Sequence, residues 1–356
     1  MRTQKLALMN KFKFYFIVLC SVVTLFSCSK ADSPTVTPVR DFDVQYATDL
    51  TTIETFLNTH YLTVDANQDV TMPIIPANST DHPAMMTLLN ASTFPKLLIK
   101  EVVVSSKTYK IYYIKLREDL ASGKSASRVD SVLTSYDGSF LSATSETVSG
   151  VTTTSIITTQ FEYAPFPESF INLGKTVKGW TEVFPMFKAG IVNPAVGNDP
   201  ISYTDFGAGI IFIPSGFGYF NLAQTTKAGI EIPSYSPLVF SFKLYDVFQS
   251  DQDGDGILSD NEDTNHDGLF TNDDTDGDGT QDYLDIDDDG DGVFTKTETK
   301  KPAGAAGLSA YYPFDPISDN PATPDIDESE PMGVPNCAGD GTSPTRIRKY
   351  LDRACH

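Results

Sequence analysis

The chain has 356 residues and a formal net charge of -21 at pH 7, which excludes nucleic acid as a partner because phosphate binding needs clustered Lys and Arg. Its 22 Pro and 24 Gly, with many Ser and Thr, exclude a helical bundle, and 23 Phe and 16 Tyr in alternating runs with Val, Ile and Thr favour a β-rich core. The acidity is local, since 18 of the 47 acidic residues lie between Asp251 and Glu298, so it belongs to one segment rather than to the whole surface.

At the N-terminus, Lys11 and Lys13 precede an apolar run from Phe14 to Phe26, too short for a permanent membrane helix, and residues 1–27 read as a signal peptide. Leu25-Phe26-Ser27-Cys28 resembles the lipobox of bacterial lipoproteins, which implies a lipid on Cys28, attachment to the membrane through it, and a location in the cell envelope. A plain secretory signal is the alternative. Residues 28–45, with Ser, Pro and Thr at Ser33 to Thr37, form the tether. Residues 46–104 follow as an N-terminal helical extension, in which Ile53, Phe56, Leu57 and Tyr61 mark one amphipathic helix with Asp49 near its start.

Residues 105–250 are dominated by strands. Lys107 to Leu116, Arg128 to Tyr136, Ile210 to Ile213 and Leu238 to Val247 are β runs, while Gly150 to Thr159 and Ala189 to Asp205 read as inserted loops or hairpins. The expected fold class is α+β: a twisted antiparallel sheet wrapped on a short helix, followed by an irregular acidic repeat with a calcium-binding pattern.

Four stretches resemble the FKBP family of peptidyl-prolyl cis-trans isomerases. Val132 to Gly138 (VLTSYDG) is similar to the strand ending in the family's His-Tyr-x-Gly, and Ile171 to Trp180 (INLGKTVKGW) is similar to its Leu-Gly…Val-Ile-x-Gly-Trp, using the single tryptophan. Ile213 to Tyr219 (IPSGFGY) and Ile232 to Phe240 (IPSYSPLVF) follow its two Ile-Pro stretches. The resemblance implies a proline pocket of Tyr136, Phe161, Val177, Trp180, Ile232 and Phe240, with Tyr219 donating to the substrate carbonyl and Glu162 as a polar edge. Three departures stand out. Glu162 replaces the usual aspartate, Phe220 stands where glycine commonly follows the pocket tyrosine, and Ser234 replaces a common second proline. The implied activity needs no cofactor, its substrates are proline-containing polypeptides, and its role is assisting the folding of exported proteins. A non-catalytic peptide-binding chaperone is one alternative, and a structural or adhesin module carrying the repeat is another.

From Asp251 the sequence DQDGDGILSDNE satisfies a calcium-loop pattern, with Asp251, Asp253, Asp255 and Glu262 as carboxylate ligands and the carbonyl of Ile257 between them. Further loops offer Asp263, Asn265, Asp267 and Asp274; then Asp274, Asp276, Asp278 and Asp285; then Asp287, Asp289, Asp291 and Glu298. The starts lie 12, 11 and 13 residues apart, leaving no room for flanking EF-hand helices, and residues 251–298 resemble thrombospondin type 3 repeats. That resemblance implies structural Ca2+ in place of an apolar core, with disorder on its removal; a permanently disordered acidic spacer is the alternative. Residues 299–356 read as a linker and a Cys-bearing C-terminal tail. Export makes a Cys337–Cys355 disulfide the first expectation, with free thiols or a metal site left open.

Overall fold

The computed structural model describes residues 38–197, 199–319 and 329–355. The expected signal peptide, the Cys28 lipid site and most of the tether lie outside them. Helix α1 (Phe42–Thr59) starts seven residues before the expected Asp49, because Asp41 caps it by accepting from the backbone N–H groups of Asp43 and Val44 at 3.0 and 3.1 Å. Asp49 is instead buried in mid-helix, where it has partners described below.

A short ribbon of β1 (Thr63–Val64) and β2 (Val70–Thr71) follows, then β3 (Lys96–Val104), β4 (Lys107–Lys115), β5 (Ser131–Val148), β6 (Val151–Ala164) and β7 (Ile171–Asn172). Next come the short helix α2 (Lys178–Val183), β8 (Ile191–Asn193), β9 (Ser202–Thr204), β10 (Gly207–Ile213), β11 (Gln224–Thr225), β12 (Glu231–Ile232) and β13 (Leu238–Phe248). The seven-stranded antiparallel sheet runs β3-β4-β10-β13-β5-β6, with β7 on β5.

The expected boundary at 105 therefore falls in the turn of the β3–β4 hairpin. Lys96–Val104 belongs to the sheet and not to a helical extension, because Leu97 and Val102 alternate into its two covered faces. Gly150 to Thr159 lies in the β5–β6 hairpin, and Ala189 to Asp205 contains the small β8–β9 hairpin.

Period-two alternation buries both faces of the sheet. Tyr109, Ile111 and Tyr113 of β4, Ile211 and Ile213 of β10 and the even residues Leu238 to Leu244 of β13 pack with α2 on one side. Tyr112, Ile114, Ile210, Phe212 and Val239 face the other side, against Ile53, Phe56 and Leu57 of α1. Strands covered on both faces read as continuous apolar runs, as IIFI in β10 does.

After β13 the chain continues through 3-10 turns at Ser259–Glu262 and Asp282–Leu284 and a one-turn helix, α3 (Thr295–Glu298). Residues 41–356 cluster as one unit. The expected linker after 299 is folded in its described residues. Arg346 donates to the carbonyls of Val334, Ser343 and Phe314 at 2.6 to 2.7 Å. Glu330 accepts from the N–H groups of Leu308 and Ser309 and pairs with Lys301, and Val334 and Tyr350 pack on Ile257 of the repeat. A composition rich in Pro, Gly and Asp hides this order because it is built from hydrogen bonds rather than apolar mass. Cys337 and Cys355 form a disulfide, their Cα atoms 5.3 Å apart.

Candidate active-site pocket and acidic loops

The pocket begins with Gly138 on β5, which lies opposite Phe240 on β13 and Glu162 on β6. A Cβ at Gly138 would sit 2.8 Å from Phe240 and 2.9 Å from Phe161, so only glycine lets the two rings close over the strand. A β-bulge between Gly138 and Ser139 leaves Phe161 without a pairing partner. It re-aims the strand so that the successive residues Phe161 and Glu162 both serve the pocket side, Phe161 in the core and Glu162 in the lining.

Helix α2 supplies the floor. A Cβ at Gly179 would meet Ile213 of β10 at 2.6 Å, so the helix packs at the closest approach a backbone allows and sets Trp180, 4 % exposed, on the sheet. Trp180 meets Tyr136 and Phe240 edge to face, centroids 5.1 Å apart in both pairs. Phe161 meets Phe240 the same way at 5.7 Å. Such pairs contribute about 0.5–1.5 kcal/mol each beyond burial, which fixes the rings in one arrangement.

Tyr219 follows the 3-10 turn Ser215–Phe217. Asp49 of α1 holds this turn, accepting from the N–H and hydroxyl of Ser215 at 2.7 and 2.6 Å while Gln45 donates to its other oxygen at 2.6 Å. Phe220 takes a left-handed φ of 51°, the conformation that glycine adopts at no steric cost. Its ring packs on Phe42 and Tyr235, with centroids 5.6 and 5.3 Å away, which offsets the strain.

Together these elements enclose a cavity of about 370 Å3 lined by Tyr136, Glu162, Val177, Trp180, Tyr219 and Phe240, with Lys175 and Lys178 at its rim. Six of the eight residues expected at the site line it. Phe161 and Ile232 stand behind it in the core. Burial raises the pKa of the Tyr136 hydroxyl, and the Glu162 carboxylate it donates to raises it further. Tyr219 is raised by burial and then by the charge of Glu162. Both phenols thus remain hydrogen-bond donors at neutral pH.

The four acidic loops share one backbone turn. In the first, Asp251 accepts from the N–H groups of Gly254 and Gly256, Asp253 from Asp255, and Asp255 from Ile257. The third and fourth repeat this from Asp274 and Asp287, and the second from Asp263. The sixth-position glycines Gly256, Gly268, Gly279 and Gly292 have φ of 101, 73, 100 and 91°, so the turn requires glycine there.

Carboxylates converge within 4.8 Å at Asp251, Asp253 and Asp255; at Asp274, Asp276 and Asp278; and at Asp287, Asp289 and Asp291. The second loop brings no such trio among the described residues. Asp267 is occupied by the Asn272 amide, and Asp273 rather than Asp274 turns in to bind Thr264 and Asn265. Asp274 serves the third loop, and Asp285 accepts from the N–H of Asp287 outside any trio. Glu298 is buried near the fourth trio, where burial and then Asp289 and Asp291 push it up to about 8.

A divalent cation fits this donor set. One oxygen of each of Asp253, Asp255 and Asp289 closes the turn, while the other is buried without a partner. Carboxylate oxygens facing one another in this way suit a hard cation. Sequence reading missed Asp288, buried with both oxygens unpartnered, because it lies out of register with the loop pattern.

A family model described as BamM C-terminal matches residues 252–325, which covers the acidic loops and the segment after them but not the pocket. No curated protein matches the chain. Among solved structures, the chain is similar to a peptidyl-prolyl cis-trans isomerase from Pseudomonas syringae pv. tomato, with 14% identity over 60% of this chain and 100% of that one, TM-score 0.30. It is similar to a wheat protein of three FKBP domains at 12% identity over 43% and 52% of the two chains, TM-score 0.26. The N-terminal domain of an FKBP from Arabidopsis thaliana matches at 13% identity over 44% and 97%, TM-score 0.26. Likeness at this level decides nothing about the pocket.

Proposed function

We propose that the chain is an FKBP-type peptidyl-prolyl cis-trans isomerase that assists the folding of exported proteins, is anchored in the cell envelope by lipid on Cys28, and uses calcium as a structural ion of residues 251–298. The observation that carries the catalytic reading is the closure of Tyr136, Trp180 and Phe240 around one cavity with Tyr219 in its wall. A volume of about 370 Å3 is in the range of small-ligand sites, about 300–1,000 Å3, and the aromatic walls suit a proline ring.

The chemistry needs no nucleophile. Rotation about an X-Pro bond is opposed by amide resonance, with a barrier of about 18–20 kcal/mol for a peptide bond. Twisting the bond removes charge from the carbonyl oxygen, so an apolar pocket that holds the twisted form better than the planar one lowers the barrier. Tyr219, kept protonated by its surroundings, donates to the carbonyl and orients it, while Glu162 holds the Tyr136 hydroxyl at the edge. In the repeat, the trios at 251–255, 274–278 and 287–291 would hold calcium, which would neutralise carboxylates that otherwise repel. The expected signal peptide at residues 1–27 supports an envelope location.

The test is a refolding assay limited by X-Pro isomerisation, run with the full mature chain in calcium. The expected result is an accelerated proline phase that Tyr219→Phe and Trp180→Ala both slow. A folded wild-type chain that binds proline peptides without accelerating the phase would replace this reading with the peptide-binding chaperone.

A further inference from the structure

Beside the loop trios, a fourth carboxylate cluster spans two loops: Asp255, shared with the first trio, and Glu262 from the first loop and Asp288 from the fourth, with ligand atoms within 4.8 Å of one another. The three are 2 %, 1 % and 1 % exposed. Asp255 keeps one oxygen for the N–H of Ile257 at 2.7 Å. Its other oxygen, both oxygens of Glu262 and both of Asp288 are buried with no hydrogen-bond partner. Asp288 sits in the turn closed by the N–H of Gly290 on the carbonyl of Asp287 at 2.9 Å, and it joins Asp255 and Glu262 while its neighbours Asp287 and Asp289 belong to the fourth loop's trio. The buried Tyr350 hydroxyl, also without a partner, lies in electrostatic reach of all three carboxylates.

We infer that Asp255, Glu262 and Asp288 together hold one calcium ion that binds the first loop to the fourth, with Tyr350 of the C-terminal segment closing over it. The inference rests on the calcium reading of the repeat and adds to it a ligand, Asp288, and a site between loops. Three carboxylates buried at this distance are costly as charges, and a cation held among them compensates that cost. Five oxygens without a hydrogen-bond partner, Asp255's bridging to the first-loop trio, approach the six to eight that calcium takes in an irregular shell. Magnesium demands a tighter octahedron and keeps several waters, which a cluster this buried does not admit. Ile257, two residues from Asp255, packs with Val334 and Tyr350. The ion therefore also fixes the C-terminal segment.

The experiment is calcium binding to the chelator-stripped full chain, read as ions bound per chain, with limited proteolysis of the segment after residue 299 as a second readout. Asp288→Asn keeps the shape and removes the charge. It is expected to bind one calcium fewer and to expose the C-terminal segment to protease in calcium, whereas Asp278→Asn in the third loop leaves that segment protected. An Asp288→Asn chain that binds as many ions as wild type with the same affinity overturns the inference and leaves the calcium reading standing. A wild-type chain that takes up no calcium overturns both. Should Asp288→Asn fail to fold, Tyr350→Phe decides: terbium emission sensitised by tyrosine is expected to fall when that hydroxyl is removed, and unchanged emission counts against the site.

Discussion

At Gly138 a single missing methyl group allows Phe161 and Phe240 to meet over β5. Gly138→Ala puts a carbon inside the contact distance of both rings, and overpacking of this kind costs typically about 1–3 kcal/mol. The expected outcome is a lower melting temperature together with a loss of kcat/KM in the refolding assay, because the ring that must move, Phe240, is also a pocket wall. Asp49 acts at a distance through Ser215. Asp49→Asn places an amide against two donors, and an unsatisfied buried group costs about 1–3 kcal/mol. Proline-peptide turnover should fall in step with the loss of order at Tyr219, while the Trp180 fluorescence of the folded chain stays near that of wild type. Asp49 shows where sequence reading stops. Its place on a helix was legible from the spacing of Ile53, Phe56 and Leu57, but its partner lies 166 residues away, and no local pattern reports that.

On the scale of elements, β5 and β6 run on past the sheet as a two-stranded ribbon whose residues from Thr144 to Thr154 are exposed. Only Leu141 and Ile156 at its base reach the core facing α1. Replacing Glu146 to Thr153 with a two-residue turn is therefore expected to leave melting and isomerase activity unchanged, which calorimetry and the refolding assay would check. The pocket strands were legible because β runs alternate and because the motif residues Trp180, Tyr219 and Phe240 carry distinctive neighbours. The start of the sheet was not. Lys96–Val104 alternates weakly, with Lys100 and Glu101 in its middle, and becomes a strand because β4 offers a complete ladder from Lys96↔Lys115 to Val104↔Lys107. In the repeat, glycine at the sixth position made the loops visible, whereas the second loop gathers no carboxylate trio because Asn265 stands where the other loops carry Asp253, Asp276 and Asp289, and Asn272 donates to Asp267.

For the whole molecule, the joint between sheet and repeat is polar. Asp130 accepts from the N–H of Ser250 at 2.9 Å, Gln252 donates to the carbonyl of Val129 at 3.0 Å, and Arg128 reaches from Glu182 of α2, at 2.7 Å, to the carbonyl of Gly268 in the second loop, at 2.6 Å. The two regions have separate apolar clusters. Chelation is accordingly expected to split thermal unfolding, with an early transition for residues 251–355 and a later one for the sheet, while calcium merges them; scanning calorimetry with and without chelator reads this directly. Arg128 gives the joint a further property. One guanidinium holds both a carbonyl of the second acidic loop and the helix that carries Trp180, so the repeat and the pocket share a connecting element. With calcium and a proline peptide bound as proposed, any linkage through it would run equally in both directions: the factor by which calcium alters the affinity for the peptide would be the factor by which the peptide alters the affinity for calcium. On the proposed function, such a joint would let the metal content of the surroundings and the client peptide each act on the binding of the other.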